Sequence, residues 1–139
     1  MPYDITWQPR GAIKRFWGYL SAEEFFESGL RITADPRFGE LAYMINDFLG
    51  VMDHALDRKA IEAIAGVRLG ASLKNRALRV AIVSTDPRLV ELVKYINSPH
   101  FVGAFETRSF ASLEAAKRWL GVPPNEQCDT RDSRNRCGA

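Results

Sequence analysis

Asp53 and His54 are the neighbouring residues in this chain best suited by type to acid–base work or to holding a metal. A carboxylate beside an imidazole can relay a proton near neutral pH. A metal site, however, needs three or four convergent ligands. The second histidine, His100, stands in a separate loop with no ligand spacing around it, and no cysteine precedes Cys128. A nucleophilic Ser–His–Asp arrangement calls for a G-x-S-x-G elbow or an equivalent, and none is present. A phosphate loop needs glycines that open a helix, whereas Gly66-x-x-x-Gly70 falls inside a helical pattern. The expectation is no enzyme: no catalytic residue, no metal and no cofactor.

A second group of polar residues lies where strands should end. Asn46 and Asp47 interrupt an otherwise apolar run, and Ser84-Thr85-Asp86 follows another. In open α/β sheets, ligands and partners collect beyond the carboxyl ends of the strands, where helix N-termini point. Asn46, Asp47, Asp53, His54, Ser84, Thr85 and Asp86 are therefore expected to converge on one edge as a ligand- or partner-binding face. The plainer alternative is that Asn46 and Asp47 brace the Gly50–Leu56 loop by accepting its N–H groups, while Thr85 or Asp86 caps a helix. Aromatic residues supply a third candidate. If Phe101 and Phe105 are exposed beside Phe25 or Phe26, they make an apolar patch or pocket for a partner, a ligand or a membrane; otherwise they are core.

These residues need elements to position them. Tyr3-Asp-Ile-Thr-Trp-Gln8 and Ala12 to Tyr19 alternate apolar and polar residues around Pro9-Arg10-Gly11, which predicts an antiparallel hairpin. Ser21-Ala-Glu-Glu24 matches a capping box and opens a helix that turns Phe25, Phe26, Leu30 and Ile32 toward cover, ending before Asp35-Pro36. Leu41 to Leu49 reads as a strand covered on both faces, followed by the Gly50–Leu56 loop. Asp57 caps a helix from Arg58 to Leu73, whose two glycines let its backbone lie close to the sheet. Leu78 to Ser84 is a buried strand, the segment after Pro87 a helix ending before Pro99, Phe101 to Phe105 a loop, Glu106 to Phe110 a strand, and Ser112 to Leu120 a capped helix. The order ββαβαβαβα predicts a single α/β domain over residues 1–121 with a mixed sheet, parallel apart from the hairpin.

Composition bounds the rest. The 139 residues are 46% hydrophobic and 26% charged with a formal net charge of +2, ordinary for a globular domain and without the basic stripe of a nucleic-acid binder. No run approaches the roughly 20 apolar residues of a membrane span. The start, MPYDITWQPRG, lacks a charged segment leading into an apolar one, so the expected location is cytoplasmic. Residues 122–139 are nearly devoid of apolar side chains and are expected to be a disordered tail. Cys128 and Cys137 within it are expected to be free thiols in a reducing compartment.

Taken together, the hairpin, Gly18-Tyr-Leu-Ser-Ala-Glu-Glu24, Asp35-Pro-Arg-Phe38, the Tyr43–Leu49 strand, Arg79-Val-Ala-Ile-Val with Thr85-Asp-Pro87, and Phe110-x-Ser-Leu-Glu-x-Ala116 with Trp119-Leu120 resemble the SpoIIAA-like proteins, a branch of the STAS fold. The resemblance covers Met1 to about Gly121. It implies a five-stranded sheet packed by four helices, and a regulatory or binding role exercised through a protein partner rather than catalysis. In the antagonist proteins of that family, a serine at the start of the helix after the Asp-bearing strand is phosphorylated. The matching stretch here is Met52-Asp53-His54-Ala55, and no Ser or Thr occurs between Thr33 and Ser72, so the resemblance does not extend to that switch. Some SpoIIAA-like proteins are also similar to CRAL-TRIO lipid carriers, which gives a small apolar or lipid-like ligand as the alternative. The hairpin edge leaves a homodimer open.

Overall fold

The computed structural model describes residues 2–101 and 105–123. It is one five-stranded mixed sheet with helices on both faces. Strands β1 (Tyr3–Gln8), β2 (Gly11–Leu20), β3 (Tyr43–His54), β4 (Arg79–Val83) and β5 (Glu106–Phe110) lie side by side in chain order. The β1–β2 pair is antiparallel and the other three pairs are parallel. Helices α1 (Ala22–Ala34), α2 (Arg58–Ser72), α3 (Pro87–Ile96) and α4 (Leu113–Leu120) fill the connections and the end. Because the strands follow one another across the sheet, right-handed crossovers put α1, α2 and α3 on the same face. Their buried Ile32, Ala71, Leu89 and Val93 pack there with Phe16, Met44, Val80 and Ile82. Helix α4 alone covers the other face, closing Ala116 and Leu120 over Ile13, Ile45, Ala81 and Val83.

Local chemistry sets the helix starts. Ser21 Oγ accepts the Glu24 N–H at 3.1 Å while Glu24 Oε1 accepts the Ser21 N–H at 3.0 Å, the reciprocal capping box. Asp57 caps α2 through the Ala60 N–H, Asp86 caps α3 through the Arg88 N–H, and Ser112 caps α4 through the Ala115 N–H. Each such cap is worth about 1 kcal/mol. Asp35 does the same for a short 3-10 turn over Pro36–Glu40.

Four expectations are corrected by the packing. Strand β3 does not stop at Leu49: the residues expected to form the Gly50–Leu56 loop continue as strand to His54, pairing Trp17 with Gly50, Gly18 with Val51, Tyr19 with Asp53 and Leu20 with His54. The ten-residue β2 supplies the partner groups for this extension, and β3 carries one extra residue at each of two bulges to follow its twist. Gly66 and Gly70 do not face the sheet; both are exposed and nothing lies within 4 Å of where their Cβ atoms would stand. Leu30 is 46% exposed, since the buried stripe of α1 runs through Ser28 and Ile32. Val122 is buried against the α4 side of the core, so the packed region reaches one residue beyond the expected boundary. Cys128 and Cys137 lie outside the described residues.

Candidate functional site

The carboxyl ends of β3 and β4 bring together five of the polar residues singled out by sequence. The backbone N–H of Leu56 donates to His54 Nδ1 at 3.0 Å, so a neutral His54 carries its proton on Nε2. That nitrogen stands 3.3 Å from Asp86 Oδ2, close enough for an ion pair but without hydrogen-bond alignment. Arg88 ties the edge together: it donates to both Asp86 carboxylate oxygens, at 3.4 Å to Oδ1 and 3.0 Å to Oδ2, and to Asp53 Oδ1 at 3.2 Å. The Asp86 carboxyl is held below its ordinary pKa chiefly by the Arg88 side chain. Asp53 is lowered too, first by the backbone N–H of His54 and then by Arg88. Ser84 Oγ accepts the Asp86 N–H at 3.0 Å and so shapes the turn that presents Asp86. Thr85 in that turn is exposed.

Asn46 and Asp47 do not join this edge as a pair. Neighbours along a strand point to opposite faces. Asp47 lies on the α4 side, where it accepts the Leu49 N–H at 2.9 Å and stands 3.7 Å from Arg15. Its hydrogen bond braces the first bulge of β3. Asn46 faces the helices α1 and α2, where it lines a cavity. Phe105 is buried at 8% exposure, edge-on to Phe38. Phe101 is half-buried and packs against Tyr95 at 5.0 Å and His100 at 4.9 Å. Phe25 packs inward against Phe16 and Phe48. An exposed patch of Phe101 and Phe105 with Phe25 or Phe26 is not formed, because Phe105 is buried; Phe25, Phe26 and Phe105 instead line the cavity beside Asn46.

An apolar surface does exist, in a place not read from the sequence. The extension of β2 and β3 outruns β4, so no third strand pairs with its end, and only the face that carries Leu20, Phe48 and His54 is buried. There Trp17 is 41% exposed, Tyr19 59%, Leu49 49% and Met52 88%. Met52 is the extra residue of the second bulge. Gly50 makes the close pairing possible, because a Cβ on it would stand 2.9 Å from Phe16 O and 3.2 Å from Trp17 Cβ. Gly18, at φ +66°, takes a conformation that residues with a side chain rarely adopt.

On the face covered by α1 and α2, the buried Lys14 of β2 and the half-buried Arg68 of α2 bring two cations together. Lys14 is 2% exposed and donates to Ser28 Oγ at 3.1 Å, with its ammonium 5.0 Å from the centre of the Phe25 ring and 5.6 Å from that of Phe16. Burial, with a contribution from the charge of Arg68, lowers the Lys14 pKa to about 7. Arg68 donates to Thr107 Oγ1 at 2.7 Å and lies over the Phe105 ring. The signal for Lys14 was present in the sequence: with Ala12 and Phe16 it shares the inward parity of β2.

With this geometry in view, comparison with solved structures is informative. The unphosphorylated form of the anti-sigma factor antagonist SpoIIAA matches with a TM-score of 0.56 at 15% identity, over 86% of this chain and 99% of that one. The fold is SpoIIAA-like. An uncharacterised DUF3478 protein from Shewanella loihica with a SpoIIAA-like fold gives a TM-score of 0.53 at 17% identity, covering 85% and 91% of the two chains. The phosphorylated form of the Bacillus cell-fate determinant SpoIIAA gives 0.51 at 16%, covering 84% and 98%. No protein-family model and no curated protein sequence matches the chain. Among the described residues no helix is long and apolar enough to cross a membrane, and no three potential metal ligands cluster.

Proposed function

We propose that this SpoIIAA-like chain is a non-catalytic binding module that acts through protein contacts at the carboxyl ends of β2 and β3. The observation that carries the reading is the end of the β2–β3 ribbon beyond β4, where Trp17, Tyr19, Leu49 and Met52 are all exposed. Large apolar side chains grouped in this way are costly to leave in water and mark a contact surface. Aromatic residues and methionine are also the types enriched at the centres of protein interfaces. The charged edge of Asp53, Asp86 and Arg88 lies beside the ribbon end and supplies a polar rim. Its carboxylates are matched by Arg88 and by backbone N–H groups, an arrangement that holds a surface rigid rather than freeing a base for chemistry.

The contact operates without a phosphoserine switch. One structural neighbour is described in phosphorylated and unphosphorylated forms. In this chain the residues that enter α2 are Ala55, Leu56 and Asp57, and no Ser or Thr lies between Thr33 and Ser72. The role is regulatory by partner occupancy, in a cytoplasmic setting.

The test is affinity capture from native cells, with wild-type protein beside a Trp17→Ser/Met52→Ser double variant. The wild type is expected to retain a specific protein that the variant loses, with the variant's circular dichroism unchanged. A partner held equally by both proteins would overturn the assignment of the surface. Sedimentation of the isolated chain separates a second copy of itself from a different protein.

A further inference from the structure

Burying a charge without a counter-charge is expensive, and this fold fully buries Lys14 and half-buries Arg68 beside it. No carboxylate pairs with Lys14 or Arg68 among the described residues. Asn46, 3% exposed, is the register partner of Lys14 across β2 and β3, and its Oδ1 meets no hydrogen-bond donor. All three residues line a cavity of about 60 Å³ between α1, α2 and the sheet, whose remaining wall is almost wholly apolar. A second cavity of about 60 Å³, toward α3, shares Phe25, Asn46, Ile64 and Arg68 with the first. Asn46 and Arg68 thus border both chambers, while Lys14 lines the first alone.

We propose that these chambers are a binding site for a small amphiphilic carboxylate, its head held by Lys14, Arg68 and Asn46 and its apolar body lying against Phe25, Phe38, Met44 and Phe105. The chemistry follows from what each group lacks. Lys14 has three N–H donors, and one is spent on Ser28 Oγ. Ser28 in turn gives its own proton to the Phe25 carbonyl at 2.7 Å, so it supplies no negative charge. Arg68 uses Nη2 on Thr107 and the Phe105 carbonyl, both neutral. Cation–π contact with Phe16, Phe25 and Phe105 lightens the burden on both cations without neutralising either. The Asn46 amide, with nothing fixing its oxygen, can turn its N–H donors to the same anion.

A carboxylate suits the site better than a more highly charged group. Two cations are balanced by one anion and the surrounding neutral dipoles, and the walls reward an apolar body rather than a hydrated one. The rim of the first cavity includes Phe26, Gly29, Thr33, Ile64 and Val67, all half-buried, so the way in lies between α1 and α2. The site is on the opposite side of the sheet from α4 and does not depend on the protein-contact reading of the β2–β3 ribbon.

Hexanoate is the probe and hexan-1-ol its control, equal in chain length and without the charge. Titration calorimetry at pH 6.5, with amide chemical shifts to locate the contact, is expected to show hexanoate bound beneath α1 and α2. Charge-assisted hydrogen bonds of ordinary strength imply that hexan-1-ol binds about tenfold or more weakly. Lys14→Met should remove that preference, and Arg68→Leu should reduce it. Hexanoate affinity in the wild type should also fall between pH 6.5 and pH 9 as the Lys14 ammonium loses its proton. Equal affinity for acid and alcohol, shift changes elsewhere in the molecule, or no binding of hexanoate at millimolar concentration would each overturn the proposal. The acid–alcohol comparison on wild-type protein decides the matter even if a variant fails to fold.

Discussion

Replacing Lys14 with methionine should change how stability depends on pH, and the size of the change follows from the burial of its ammonium. In the folded chain the Lys14 pKa is lowered from 10.5 to about 7 by desolvation and by Arg68. In the unfolded chain it returns to the ordinary value. Between those two values the unfolded state holds a proton that the folded state has released, so raising the pH favours folding. From pH 7 to pH 9 the difference integrates to about 2 kcal/mol in favour of the native state at the higher pH. Most urea unfolding slopes for small domains are about 1–3 kcal/mol per molar, so the wild-type midpoint should rise by about 1 M across that interval relative to the Lys14→Met variant. The assay is urea unfolding followed by tryptophan fluorescence at fixed ionic strength. Methionine keeps the length of the stem without the charge, and removing an unpaired buried cation should leave the variant at least as stable at pH 7. Parallel midpoint curves for the two proteins would refute the reasoning, because they would mean that Lys14 titrates alike folded and unfolded.

Two further substitutions test the ribbon and the core beneath it. Gly50→Ala brings a methyl group to 2.9 Å from Phe16 O, and such overpacking costs about 1–3 kcal/mol; hydrogen exchange should show the loss concentrated at Gly50–His54 with β4 still protected. Phe16 is fully buried and stacks on Phe48 with ring centres 4.9 Å apart, so Phe16→Ala should cost about 3–5 kcal/mol by chemical denaturation.

Much of the fold was legible because short-range rules agreed with long-range ones. The Ser21–Glu24 box, Asp57 and Ser112 each name a helix start, and each side chain makes the predicted cap. The order of strands and helices followed from period and punctuation, and with it the mixed sheet. The site was less legible. The run Gly-Val-Met-Asp-His carries loop-like residues, and the feature that makes it a strand is the long β2 some thirty residues earlier, which no local pattern around Gly50 reveals. Asn46 and Asp47 both stand in a strand that leads to the site, but strand geometry sends them to opposite faces. A lysine in an alternating strand is ordinarily on the wet side. Here the hairpin register turns it inward, with Ala12 and Phe16 on the same face. Phe101 and Phe105 were candidates for a surface patch, yet Phe105 is needed to close the core over Phe38.

Whether the exposed residues at the end of β2 and β3 form a protein-contact surface is tested most directly by site-specific photocrosslinking in living cells. A benzophenone amino acid at Met52 should give a discrete heavier adduct containing a second protein, while the same group at the exposed Glu91 on α3 should give none. Adducts from both positions, or from Glu91 alone, would contradict the claim; so would an unmodified chain from Met52 after full irradiation.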